Sequence, residues 1–407
     1  MNCRGCGATL HLPLIDLGTA PASNAYVRAD QLGAAEQWLP LKVEVCEHCW
    51  LVQTDDYTRA EQLFDADYAY FSSYSSSWLA HARQYVADMA ERFALNDQSR
   101  VVEVAANDGY LLQYVAAAGI PCLGVEPTRS TAQAAREKGL RIRELFFGRA
   151  TAESLAQEGW SADLMVANNV LAHVPAINDF LSGFATLLKP EGVATFEFPH
   201  LLRLMAGQQF DTLYHEHYSY LSLTAVDTLC QRNGLEVFDV EQLPTHGGSL
   251  RVFAQREAGP RRQEPAVRRL LAEEDAAGVR TRAFYATLAP AAERIKHRLL
   301  AFLLQAKAEG KHVVGYGAAA KGNTLLNYAG IKPDLLPWVA DANPNKQGKF
   351  LPGSRIPIVE PQRLLQERPD YVLVLPWNLL PEIAEACSAI RGWGGRFVVA
   401  VPELQLS

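Results

Sequence analysis

The sequence predicts an α/β chain in three parts. These are an N-terminal zinc-binding module over residues 1–67, a central Rossmann-like domain over 68–259 and a smaller Rossmann-like α/β domain over 260–407. Three observations predict it. Two CxxC pairs stand near the start. From Arg100 short apolar runs alternate with helical stretches. Near residue 313 a strand runs through a Gly-Tyr-Gly turn into a helix. A chain of 407 residues accommodates two or three domains.

The first part rests on cysteine placement. Of seven cysteines, four form the pairs Cys3-Arg-Gly-Cys6 and Cys46-Glu-His-Cys49. Each pair brings two thiolates to a tight turn, as tetrahedral Zn²⁺ requires, and four thiolates close the coordination sphere. The site is therefore expected to be structural. Four reduced core cysteines would not explain the paired spacing, and a redox CxxC would leave one pair idle. An odd cysteine count also argues against a disulfide scaffold.

Bulk properties remove several function classes. A formal net charge of −7 argues against nucleic acid as the main partner. The start lacks a basic run followed by an apolar one, and nothing reaches the roughly 18 apolar residues of a membrane span. A cytoplasmic protein without a membrane partner is expected.

Residues 54–92 form a bridge, Tyr/Ser-rich at first and helical from about Ser77. Tyr68 and Tyr70 in it either line a site or pack. The central domain then reads strand, turn, helix in "RVVEVAANDGYLLQYVAAAG", with further strands in "PCLGVEPT", "ADLMVANNVLAHV" and "GVATFEFPH". Such βαβ units make a parallel sheet whose ligands bind beyond the strand carboxyl ends. Its first turn, Glu103 to Gly109, lacks the glycines a pyrophosphate needs, and Glu103 would repel phosphate. S-adenosylmethionine (SAM), cationic and phosphate-free, suits it better than a nicotinamide or flavin cofactor. Glu103, Ala105, Asn107, Asp108 and Gly109 in the turn are the cofactor candidates, with Asn168 at a later strand end. Glu126 is placed to accept ribose hydroxyls. His173 faces the same cleft, either as a structural or as a catalytic residue.

The stretch "DTLYHEHYSY" at 211–220 is too rich in proton-handling groups for ordinary surface and too polar for core. Together with "CEHCWLVQ", "YFSSYSSSW", "EVAANDG", "GGSLRVF" and "GYGAAAKGNTLLNY", it resembles the SAM-dependent deoxyketosugar C-methyltransferases over nearly the whole chain. Ala105 departs from that pattern where a glycine-like residue is expected. The resemblance implies a central SAM methyltransferase domain and methylation of a ring carbon of a nucleoside-diphosphate 4-keto-deoxysugar. The nucleotide is expected to be dTDP, with C3 favoured over C5. It implies His217 as the base, with Tyr214 donating to the oxyanion or positioning the sugar. Glu216 would orient an imidazole or bind a hydroxyl, and His173 and Tyr68 match further active-site positions. Forming a carbanion equivalent beside a ketone needs such a base and a group to hold the enolate oxygen. If the segment is extended, His215 points to the opposite face. A metal site of His215, Glu216 and His217 would lack the HExxH spacing of zinc hydrolases.

The last part begins with a charged, Ala-rich stretch near Arg261, read as two helices. Helix-start amides at Ala319–Asn323, with Lys321, make an anion cradle, and the resemblance assigns this loop, Lys321 and Asn323 included, to domain contact and to the diphosphate. Asp341 ends the next strand, as a ribose acceptor would. His246 and Arg251 in "PTHGGSLRVF" are further substrate candidates, with Tyr70. Two other readings compete: an NAD(P) oxidoreductase using the Gly-Tyr-Gly turn, and a zinc-ribbon module recruiting nucleic acid or a protein. The second predicts a basic knuckle surface that residues 1–60 do not supply.

Overall fold

The computed structural model describes residues 1–57 and 71–407. Tyr68 and Tyr70 lie outside the described residues.

Three antiparallel strands, β1 (Leu12–Ala20), β2 (Leu39–Val45) and β3 (Val52–Thr54), follow and enclose the two cysteine turns. Their sheet is completed from elsewhere: β3 pairs with Ser219–Tyr220, immediately after the histidine-rich stretch. Thr54 ties the same point, its amide donating to the Tyr218 carbonyl and its hydroxyl to that of His217. The cysteine module therefore buttresses the segment that carries the candidate chemistry.

In the central domain α1 (Ser76–Arg92) starts where the Ser75 hydroxyl caps the Trp78 amide. Then follow β4 (Val101–Val104), α2 (Leu112–Ala117), β5 (Cys122–Val125), α3 (Arg129–Glu137), β6 (Ile142–Arg143), α4 (Arg149–Gln157) and β7 (Ala162–Asn168). After these come α5 (Ile177–Leu187), β8 (Leu188–Pro199), α6 (Leu201–Ala206), β9 (Ser219–Tyr220), α7 (Leu223–Arg232), β10 (Leu235–Leu243) and β11 (Ser249–Arg256). The sheet order is β10-β11-β8-β7-β4-β5-β6, parallel except for the closing β10–β11 hairpin. Strand β4 is buried throughout, as a parallel strand covered on both faces must be. It is flanked by β5 on one side and β7 on the other, so strand order reverses there and a ligand crevice opens at its carboxyl end.

The linking stretch holds three helices rather than the two expected: α8 (Pro265–Ala277), α9 (Arg282–Tyr285) and α10 (Leu288–Ala308). Gly278, left-handed at φ +90°, ends α8 early and starts the short extra turn. The last domain contains β12 (Val313–Tyr316), α11 (Ala320–Ala329), β13 (Val339–Ala340), β14 (Ile358–Val359), β15 (Tyr371–Val374), β16 (Arg396–Val399) and β17 (Gln405–Leu406). Its order is β14-β13-β12-β15-β16-β17, parallel but for β17.

The cores cross domain lines. Cys3, Cys46 and Cys49 pack in one cluster with Phe184 and Leu229 of the central domain. Leu14 and Val43 of the first sheet share another with Leu299 of α10 and Leu325 of α11. Among the described residues no helix is long and apolar enough to cross a membrane.

Candidate active site

The four sulfurs of Cys3, Cys6, Cys46 and Cys49 lie within 4.8 Å of one another, with Cys3–Cys49 at 3.5 Å and Cys6–Cys46 at 3.4 Å. A tetrahedron with Zn–S bonds of about 2.3 Å has sulfurs roughly 3.8 Å apart, so the donors fit Zn²⁺. Among the described residues this is the one group of three or more His, Cys, Asp or Glu close enough to share an ion. The Gln53 amide donates to the Cys3 sulfur at 3.2 Å.

At the β4 carboxyl end the turn is built from unusual backbone. Ala105, Asn107 and Gly109 have φ of +57°, +49° and +77°. Ala105 thus occupies the left-handed region that the sequence pattern led us to associate with glycine. A Cβ on Gly109 would lie 2.2 Å from Leu140 Cδ1, so only glycine suits that position. Glu126, at the end of β5, accepts from the Asn107 and Thr128 amides, both at 2.9 Å, and from the Thr131 hydroxyl at 3.0 Å. Its carboxylate braces the turn and keeps limited capacity for a ribose. Burial raises it above the ordinary carboxylate range.

The polar atoms left over mark a ligand site. Both oxygens of Glu103, both polar side-chain atoms of Asn168 and Oδ1 of Asp108 are buried without a well-formed hydrogen bond. Burial pushes Glu103 well above its usual range, and the Tyr110 hydroxyl only partly offsets this. Unpaired buried groups of this kind cost about 1–3 kcal/mol each unless a ligand satisfies them. A cofactor carrying an ammonium, hydroxyls and a carboxylate matches that set of acceptors and donors, and Glu103, Asn107, Asp108, Glu126 and Asn168 could hold it.

The histidine stretch is a turn, not an extended segment, since the His217 amide donates to the Tyr214 carbonyl. His215 does point away, its Nε2 donating to the Pro40 carbonyl at 3.2 Å, but strand alternation is not the reason. Glu216 leaves in a third direction. Its carboxylate accepts from the Ser23 and Asn24 amides and from the Asn24 side chain. Among the described residues no imidazole takes its carboxylate, and the backbone carbonyl of Glu216 is what holds His173 Nδ1, at 2.7 Å. This divergence removes the His215–Glu216–His217 metal site.

His217 is buried between two partners. Its Nδ1 is 3.0 Å from the Thr212 carbonyl and its Nε2 is 2.8 Å from the Tyr214 hydroxyl. A carbonyl can only accept, so Nδ1 carries the hydrogen. Burial, then the neighbouring His173 ring at 4.6 Å, hold the imidazole well below its ordinary pKa. The ring is therefore neutral near pH 7, and Tyr214 donates into its lone pair. His173 and His246 are both lowered to about 4, mainly by burial. His246 stands at φ +54°, 3.1 Å from the Asn169 amide and beside the Trp78 ring.

The C-terminal domain enters this cluster directly. The Asn323 amide donates to the Ser23 carbonyl and the Thr324 hydroxyl to that of Leu213. The Trp377 indole donates to Asp211 at 2.8 Å, while Lys321 lies 4.5 Å above the Trp377 ring and donates to Asn378. Asp211 is pushed up to about 6 by burial, with Lys321 pulling the other way. Asp341 does not await a ribose: it accepts from the Ala318 and Asn343 amides of its own domain. Tyr26 and Lys346 both donate to the Ala318 carbonyl, so the Gly-Tyr-Gly loop is filled by protein. Arg251 is likewise committed, pairing with Glu197 and Glu241 over the Tyr85 ring.

Asp211, Trp377, Asn169, His81 and Glu197 were not singled out from the sequence. His81 and Glu197 pair at 2.9 Å beneath the cluster. The one available signal was Trp377 in "LPWN", directly beyond a strand carboxyl end.

Residues 3–64 match a family described as a zinc binding domain, 78–240 a methyltransferase domain, and 244–402 a C-methyltransferase C-terminal domain. C-methyltransferase NovU of Streptomyces niveus is 36% identical over 402 residues, covering 99% of this chain and 96% of its own. A ubiquinone biosynthesis O-methyltransferase of Bartonella tribocorum is 26% identical over 98 residues, 24% of this chain and 40% of its own. Among solved structures, magnesium protoporphyrin IX methyltransferase from Synechocystis PCC 6803 aligns with a TM-score of 0.35 and 18% identity, over 44% of this chain and 83% of that one. With a full-length relative, a four-cysteine cluster and a methyltransferase sheet in hand, the chain belongs to the SAM-dependent C-methyltransferases that carry an N-terminal zinc-binding domain.

Proposed function

We propose that the protein methylates a ring carbon flanking the ketone of a nucleoside-diphosphate 4-keto-deoxysugar, with dTDP as the nucleotide. C3 is the first candidate, carried by the family resemblance, and C5 is the alternative, since both carbons lie beside the carbonyl. The observation behind this reading is the Thr212–His217–Tyr214 hydrogen-bond chain, which keeps a neutral imidazole with its lone pair towards Tyr214. A C–H beside a ketone loses its proton to such a base, directly or through the Tyr214 oxygen. The C–H electron pair forms a C=C bond and the carbonyl pair moves to oxygen. Glu103, Asn107, Asp108, Glu126 and Asn168 would hold SAM, whose sulfonium would supply the electrophilic methyl to the enolate carbon, the S–CH3 bond breaking as the C–C bond forms and the carbonyl is restored.

In this reading His173 lines the pocket beside His217, and His246 and Asn323 face the sugar nucleotide. Glu216 is a positioning residue that fixes the loop rather than a group touching the sugar. Arg251 acts through Glu197. Tyr68 keeps the role implied by resemblance, and Tyr70 stays a substrate candidate. The filled Gly-Tyr-Gly loop weighs against the NAD(P) oxidoreductase alternative.

The test is incubation with methyl-labelled SAM and a panel of dTDP-4-keto-6-deoxyhexoses, with the product located by NMR. Label at C3 or C5 supports the proposal and decides the position. Label on oxygen or nitrogen, or none with any ketosugar, overturns it.

A further inference from the structure

The single hydroxyl hydrogen of Tyr214 cannot serve Nε2 of His217 and an enolate oxygen at once. Because Nδ1 of His217 is committed to the Thr212 carbonyl, the Tyr214 hydrogen is committed to Nε2. The enolate oxygen then needs another partner, and the C-terminal domain brings one. Lys321 is half-buried, and Asn378 is its sole hydrogen-bond acceptor among the described residues. An ammonium has three hydrogens to donate, so two are left for a ligand. Among the described residues it forms no salt bridge, and its charge rests on the Trp377 face at 4.5 Å. Trp377 is fixed in turn by Asp211 Oδ2, while the second Asp211 oxygen is buried without a partner. Thr324, one turn along α11, is bonded to the Leu213 carbonyl, so this face of the helix meets the histidine loop. The Lys321 charge adds to the lowering of His217 and His246 and holds Asp211 below where burial alone would set it.

Resting on the ketosugar reading above, we propose that Lys321, not Tyr214, holds the enolate oxygen, with Asn378, Trp377 and Asp211 as its positioning residues. The C-terminal domain thereby completes the catalytic centre. The cation offsets the negative charge that appears on oxygen as the α-proton leaves, and it does so only in the transition state and the enolate. This differs from a diphosphate clamp, which holds substrate and transition state equally.

The experiment is steady-state kinetics of Lys321→Met and Lys321→Arg with a dTDP-4-keto-6-deoxyhexose, alongside α-hydrogen exchange in D2O with S-adenosylhomocysteine bound. SAM affinity measured by calorimetry reports an intact fold. For Lys321→Met, kcat and exchange rate should fall by about 10²–10³, with KM within roughly threefold and SAM affinity unchanged. Lys321→Arg, which keeps the cation, should recover part of the loss. A raised KM with kcat and exchange near wild type would make Lys321 a diphosphate clamp and overturn the proposal. Equal losses in both variants would overturn it too, since charge would not be what matters. Absence of exchange in the wild type would instead remove the ketosugar reading itself.

Discussion

The Tyr214 hydroxyl lies 2.8 Å from Nε2 of His217, and this contact sets which atom of the ring can take a proton. With Nδ1 held by the Thr212 carbonyl, changing either side chain should slow proton abstraction while sparing the cofactor turn. His217→Ala is expected to lower methyl transfer by about 10²–10⁴. Tyr214→Phe should lower it less, because the lone pair survives. Rates with labelled SAM, together with SAM affinity unchanged in both variants, check this.

The acid limb of kcat/KM should fall below pH 6.5. His217 must be neutral to act, and burial keeps it neutral to well under its ordinary value. Stability has its own window. His173 and His246, lowered to about 4, contribute stability that is whole above about pH 6.5 and lost as pH falls towards 4. Asp211, raised to about 6, works the other way, losing its contribution as pH rises through that value. His217 is held low as well, and Glu103 and Glu126 are held high with Asp211; three histidines acting across the whole window outweigh three carboxyls acting over part of it, so denaturant midpoints should drop between pH 6.5 and 4. A midpoint that rises over that range would contradict the buried neutral pair.

At the cofactor turn, Ala105→Gly should stabilise the protein by about 0.5 kcal/mol, relief of left-handed strain exceeding the added chain entropy. Gly109→Ala should cost about 2–4 kcal/mol and abolish SAM binding, because its Cβ meets Leu140. Thermal melts with and without SAM distinguish the two.

Cys46→Ser should release zinc and, with it, activity. The link is mechanical: β3 of the zinc module pairs with Ser219–Tyr220, and Thr54 bonds the His217 carbonyl. Metal analysis and kcat should fall together. Full zinc content in the variant would rule out the four-thiolate site.

The parts of this site legible in the sequence were those set by local spacing. Two CxxC turns, the 103–109 turn at a strand end and the cluster at 214–217 each declare themselves within ten residues. What escaped notice depends on packing between distant elements. Asp211 and Trp377 are 166 positions apart and meet only because the C-terminal domain docks on the histidine loop. Glu216 shows the opposite limit: its neighbours in sequence are histidines, yet in space its carboxylate serves Ser23 and Asn24. A tight turn sends consecutive side chains in divergent directions, which a reading based on strand alternation cannot anticipate. Ala105 illustrates a further case, since a sequence does not display the positive φ that explains the expectation of glycine.

The most direct measurement is hydrogen exchange at the carbon beside the ketone, followed by NMR in D2O with S-adenosylhomocysteine in place of SAM. Wild-type protein should exchange one ring hydrogen of a dTDP-4-keto-6-deoxyhexose, and His217→Ala should not. Exchange in His217→Ala at the wild-type rate would show that another group removes the proton, and the role given to the buried imidazole would be wrong.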